Sequence, residues 1–152
     1  LMEQLEVPEY HADICTAFAQ GNVGKAKRLA LSDSFSEMLE HALHLVKYIH
    51  DMEVVDMISD LKRINTYKME INDYLDLLTV WYRDVLMFKA TRDADSLIFS
   101  HELISIREKA QKSSYEGLEC IIKSLEKAKI RLNANVNFDM ALELLLLTMK
   151  EN

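Results

Sequence analysis

The chain of 152 residues has an apolar share of 49%, enough for one ordinary domain with a sizeable core. Its net charge of -7 speaks against a generic binder of the nucleic-acid backbone, although a local basic stripe could still meet phosphate. With only 3 Gly and 1 Pro the chain suits helices joined by short turns and not an all-β or α/β fold. No apolar run approaches the roughly 20 residues that span a bilayer, and the start lacks a basic segment followed by an apolar one, so neither a membrane span nor a signal peptide is expected. Cys15 and Cys120 stand far apart, without CxxC spacing or companion histidines. They are expected as buried free thiols in a reducing compartment, and the chain is read as cytoplasmic.

In chain order, two small helices come first. Pro8 suits a first helical turn, Ile14, Cys15 and Phe18 make a narrow stripe, and Gly21 with Asn22 ends one helix before another that carries Val23, Ala26, Leu29 and Ala30. Ser32, Asp33 and Ser34 mark a joint. Phe35, Met38, Leu39, Ala42, Val46 and Ile49 then recur at helical spacing, and a shorter helix from Asp51 should turn Val54, Val55, Ile58 and Leu61 inward. The longest helix runs from about Met69 to Ala90 through Ile71, Tyr74, Leu75, Leu78, Trp81, Tyr82, Val85 and Leu86. After a turn at Asp93, Ala94 and Asp95, a short amphipathic helix carries Leu103, Ile104 and Ala110. Ser113 is positioned to cap a long helix with the stripe Leu118, Ile121, Ile122, Leu125, Ala128 and Leu132. Asn133, Asn135 and Asn137 interrupt the helical pattern, and Asn137 is placed to cap the last helix. The expected fold is an all-α bundle of about six helices over residues 34–152, with residues 1–33 as a separate fragment.

The last helix carries Phe138, Ala141, Leu142, Leu145 and Met149 on one face, and Leu144, Leu146 and Leu147 extend its apolar surface nearly all the way round. A helix of that kind wants neighbours on more than one side, so at least one of these three leucines is expected to face a partner domain. A second candidate interface lies at Trp81, Arg83 and Asp84. Adjacent charges in a long core helix point about 100° apart, so one of them must lie near the apolar face and needs a partner within the bundle or on a neighbouring protein.

A search for chemistry gives little. Glu37, Glu40, His41 and His44 place a carboxylate four residues before each histidine, as a metal site requires, but no Glu-x-x-His pair occurs and a solvated histidine face is the reading adopted. Gly21-Asn22-Val23-Gly24-Lys25-Ala26 lacks the spacer and the Ser or Thr of a phosphate loop. Lys123, Lys127 and Arg131 recur every four residues beside Glu119 and Glu126, which fits a solvated face better than a phosphate site. No catalytic, cofactor-binding or metal residue is assigned, and no ATPase activity is expected.

Trp81-Tyr82-Arg83-Asp84-Val85-Leu86, then a turn, a long helix and Asn133-Ala134-Asn135-Val136-Asn137 before Ala141-Leu142-Glu143-Leu144-Leu145-Leu146, together resemble the C-terminal domain of the delta-prime subunits of bacterial DNA polymerase III. The resemblance covers roughly Phe35 to the end. Phe18-Ala19-Gln20-Gly21-Asn22-Val23-Gly24-Lys25-Ala26 is similar to the end of the small lid that precedes this domain in clamp-loader subunits. The resemblance implies a collar domain that packs beside those of the other loader subunits, gamma/tau and delta. Sliding clamp and primed DNA would be met only through the whole assembly. It also implies a member that does not hydrolyse ATP: relatives that do carry a lid arginine where Gly24 stands, with Lys25 beside it as a partial substitute. Two alternatives fit the same residues, the collar domain of gamma/tau or delta, and a free-standing helical enzyme using metal or nucleotide through Glu37, Glu40, His41 and His44.

Overall fold

A computed structural model of the chain describes Ile14 and residues 33–134 and 137–152. The expected lid helices with Gly24, Lys25 and Cys15, and the interrupting Asn135, lie outside the described residues. The described residues form six α-helices and no strand. They are α1 (Asp33–Tyr48), α2 (Val54–Asn65), α3 (Ile71–Thr91), α4 (Leu103–Lys112), α5 (Tyr115–Asn133) and α6 (Phe138–Glu151). Short 3-10 turns lie at Ile49–Asp51, Lys68–Glu70, Ala94–Ser96 and Ser100–Glu102. Among the described residues no helix is long and apolar enough to cross a membrane.

Helix α3 is the centre of the bundle, with α1, α4 and α5 packed against it and α6 packed on α5, on α2 and on the turn after α1. Its sequence explains this place. Ile71, Tyr74, Leu75, Leu77, Leu78, Trp81, Tyr82, Val85 and Phe88 are all buried, an arc too wide for a helix with only one neighbour. The expected stripe of α1 is buried from Phe35 to Ile49, as are Leu118, Ile121, Leu125 and Ala128 of α5. Ile14 is buried as well and joins the same core cluster.

Local signals set the ends. The Asn137 side chain accepts from Met140 N–H at 3.1 Å, so the expected cap of α6 is present. The cap of α5 is Ser114, which accepts from Gly117 N–H at 2.9 Å, and not Ser113. Ser113 is buried and donates to the Asn152 carbonyl at 3.4 Å, which ties the start of α5 to the end of α6. Gly117 permits this approach, since a Cβ there would lie 3.1 Å from Ser114 Oγ and 3.4 Å from the Asn152 carbonyl oxygen. Helix α3 ends at Arg92, a non-glycine residue with φ 60° whose N–H donates to Phe88 O at 2.8 Å.

Two helices are rotated from the sequence expectation. In α2 the inward residues are Met57 and Ile64 with Leu61 partly buried, while Val54, Val55 and Ile58 are exposed. The helix begins at Val54, after a turn holds Asp51, and Glu53 N–H donates to the Asp56 carboxylate at 3.1 Å. That start fixes a phase about one residue away from the valines. In α4 the inward set is Ile106, Lys109 and Ala110, and Ile104 is exposed. Ile104 and Ile106 sit about 200° apart on a helix, so only one of them can face the core.

Leu146 is 1% exposed and Leu144 is 48% exposed, so truncation separates them. Leu146→Ala should cost about 2 to 5 kcal/mol through the cavity it leaves. Leu144→Ala should stay within about 0.5 kcal/mol. Urea denaturation of the two variants checks this, and equal losses would refute the assigned faces.

Candidate assembly surface and polar clusters

The six residues expected at an interface between subunits divide into two groups. Trp81, Asp84 and Leu146 lie inside the domain, whereas Arg83, Leu144 and Leu147 lie on its surface. Trp81 packs edge-on to Phe99, with ring centroids 5.9 Å apart. Leu146 joins Leu142, Leu145 and Met149 in the core because α5 and α2 cover α6 from two sides, so the wide apolar arc is largely spent within the chain. Asp84 and Leu146 therefore present no outer surface to a neighbour, and Trp81, 1% exposed, presents almost none.

Asp84 finds its partner within the bundle, in backbone and not in a charged side chain. Its carboxylate accepts from the backbone N–H groups of Ile98 at 3.2 Å and Phe99 at 2.7 Å. The effect is to pull the α3–α4 connection onto the bundle, which seats Leu97 and Phe99 in the core. Burial raises the Asp84 pKa above the usual carboxylate value, and the two N–H donors oppose that rise. Sequence reasoning saw the charge but not its partner, since backbone donors have no residue type.

What remains outside on α6 is a stripe. Met140, Leu144 and Leu147, spaced at i, i+4 and i+7, are 59%, 48% and 41% exposed. Spacing of this kind puts all three on one helical face. Val54, Val55 and Ile58 leave a second exposed apolar face on α2, which packs against α6.

The histidine cluster is split between inside and outside. His41 Nε2–H donates to Asp60 Oδ1 at 3.2 Å and the Tyr74 hydroxyl donates to Nδ1 at 2.9 Å, an arrangement that fits neutral imidazole. Burial lowers the His41 pKa, and Asp60 only partly offsets this. Glu37, Glu40 and His44 are exposed, with the His44 ring 4.8 Å from that of Tyr48. Among the described residues no three His, Cys, Asp or Glu side chains are grouped to hold a metal. Lys123 and Lys127 lie on the outer side of α5, and Arg131 is half-buried on the same helix. Cys120 is an exposed free thiol and not the buried one expected, since it points away from the stripe of Leu118 and Ile121.

A polar cluster that the sequence did not signal links α4, α6 and the turn after α1. His50 Nδ1–H donates to the Lys150 carbonyl at 2.9 Å, and its Nε2 accepts from the Lys109 ammonium. Lys150 Nζ donates to the carbonyls of His50, at 3.2 Å, and Met52. Lys109 is 6% exposed, and burial lowers its pKa to about 8 with the Lys112 charge adding to the effect. Burial likewise lowers the His50 pKa, helped by Lys109. The one usable signal is the 3.6-residue phase of Ile106 and Ala110, which places Lys109 on the inward face.

The fold is an all-helical bundle domain that keeps exposed apolar faces on two adjacent helices, α2 and α6. Residues 13–151 match the family model described as DNA polymerase III, delta subunit, C terminal, and the chain belongs to that family. A curated relative, DNA polymerase III subunit delta' of Bacillus subtilis (strain 168), is 29% identical over 136 residues, 86% of this chain. The chain spans 40% of that relative's length. No solved structure gives a significant match.

The buried polar groups give two expected outcomes. Asp84→Ala should cost about 1 to 3 kcal/mol for each N–H it orphans, and Arg83→Ala within about 0.5 kcal/mol, as measured by urea denaturation. The histidine and lysine shifts set a pH profile. Where a folded pKa lies below the unfolded one, the unfolded chain binds more protons and stability rises with pH between the two values. Melting temperature should therefore climb as pH approaches 6.5 through His41 and His50, and again above about 8 through Lys109. Lys109→Met should abolish the alkaline climb and, by removing a charge that helps lower the His50 pKa, weaken the climb toward pH 6.5.

Proposed function

We propose that the chain is the collar domain of a delta-prime subunit, a non-catalytic element that seats its parent protein beside gamma/tau and delta in the loader that places the sliding clamp on primed DNA. Its place would be the cytoplasm. The observation that carries the reading is the family match along nearly the whole described bundle, residues 13–151. The exposed stripe of Met140, Leu144 and Leu147 supports it, because a helix that has filled its own core and still shows three apolar side chains suits a neighbouring helical domain. Arg83 stands as a further surface candidate. Clamp and DNA are met through the assembly, and the chain's acidic net charge fits a domain that holds neighbours and not phosphates.

Burying one leucine is worth about 1.5 to 3 kcal/mol. Leu144→Asp with Leu147→Asp should thus weaken binding to the remaining loader subunits about tenfold or more, with an unchanged melting temperature. Titration of the double variant against those subunits, beside its thermal melt, is the test. Unaltered binding would remove α6 from the interface, and failure of the unmodified chain to join any of the loader proteins would sink the reading. Purified chain should also turn over no ATP in a phosphate-release assay.

A further inference from the structure

A cleft of about 420 Å³ opens between the end of α1, helix α4 and the end of α6, with Trp81 and Lys109 among the residues that line it. The first carries a donor, and the second a charge, that the protein leaves unpaired. The Trp81 indole N–H is buried with no hydrogen-bond partner. The Lys109 ammonium contacts His50 Nε2 and lies 6.0 Å from the Tyr82 ring centroid. It forms no ion pair among the described residues, where the ion pairs are His41–Asp60, Lys47–Glu102 and Lys129–Asp76. His50 cannot neutralise it, because the imidazole accepts through Nε2 only as the uncharged ring that donates from Nδ1 to Lys150. A cation held away from water without a counter-charge costs stability unless an anion meets it.

The rim limits which anion fits. Asp51, Glu108 and Glu151 line the cleft and are exposed, as is Lys112, while Lys47 is engaged with Glu102. A polyanion would meet three rim carboxylates before reaching one buried ammonium. A monoanion reaches it at smaller electrostatic cost, and a planar two-oxygen acceptor can take one N–H from lysine and another from an indole. The volume exceeds that of a carboxylate alone and leaves room for a body attached to it.

We propose that this cleft is a monocarboxylate-binding site, with Lys109 as counter-charge, His50 as the group that orients the ammonium, and the Trp81 indole as second donor. The carboxylate can belong to a free small acid or to a Glu or Asp side chain of a polypeptide. This site is separate from the α6 stripe and does not depend on the assembly reading.

The chain's single tryptophan is Trp81, so its fluorescence reports the cleft directly. The full 152-residue chain is titrated at pH 7 with sodium acetate, with the capped peptide acetyl-Gly-Glu-Gly-amide and with inorganic phosphate, ionic strength held constant with chloride. Saturable change with acetate supports a carboxylate site, open to free acids alone if the peptide is silent and to polypeptide side chains if it responds. Lys109→Met should weaken the response at least tenfold, whereas Lys62→Met, on the exposed side of α2, should leave it unaltered. Binding should fade above pH 8 as Lys109 loses its charge. A second readout needs no variant: acetate should raise the melting temperature of the unmodified chain relative to chloride. No saturable response, tighter binding of phosphate than of acetate, or full response in Lys109→Met would overturn the proposal.

Discussion

The bundle is organised by one constraint, the burial of α3 on almost every side. A polar side chain that such a helix brings inward needs a protein partner or carries a cost, because water cannot reach it. Asp84 and Tyr74 find partners, whereas the Trp81 indole and the Tyr82 hydroxyl have none. Asp84 is satisfied by two backbone N–H groups, and those bonds fold the α3–α4 connection over the bundle and place Phe99 against Trp81. Tyr74 finds His41, which in turn reaches Asp60 on α2. These partnered polar atoms of α3 do more than avoid a penalty, since each one fixes where a neighbouring segment must lie.

The same constraint divides the final helix into an inner and an outer face. With α5 and α2 both against α6, the core takes Ala141, Leu142, Leu145, Leu146 and Met149, while Met140, Leu144 and Leu147 are left outside. The sequence suggests a surplus of apolar residues on this helix, and the surplus is real but narrower than a count of leucines implies. An exposed apolar stripe beside a well-filled core is the surface that the lateral packing proposed for this domain would use.

Helix α4 carries the less obvious consequence. Turning Ile106 and Ala110 inward brings Lys109 with them, next to His50 and above the Tyr82 ring. There it lines the cleft together with Trp81, and its unpaired charge and the unpartnered indole N–H are the groups of the proposed ligand site.

Much of this was legible in the sequence. Helical period, scarce glycine and proline, and the Asn137 cap dictate an all-α chain and the break before α6, because these are local preferences that neighbours seldom overrule. The resemblance carried by Trp81 to Leu86 and the asparagine-rich break led to the family. Tertiary structure alone decided the phase of α2 and α4, where apolar residues on two faces offered rival stripes and packing chose Met57 over Val54 and Ile106 over Ile104. It alone decided that Asp84 pairs with backbone and that Leu146 is core, since both depend on segments distant in the chain. Periodicity tells which residues share a face of a helix. Which face turns inward is settled only when the other helices arrive.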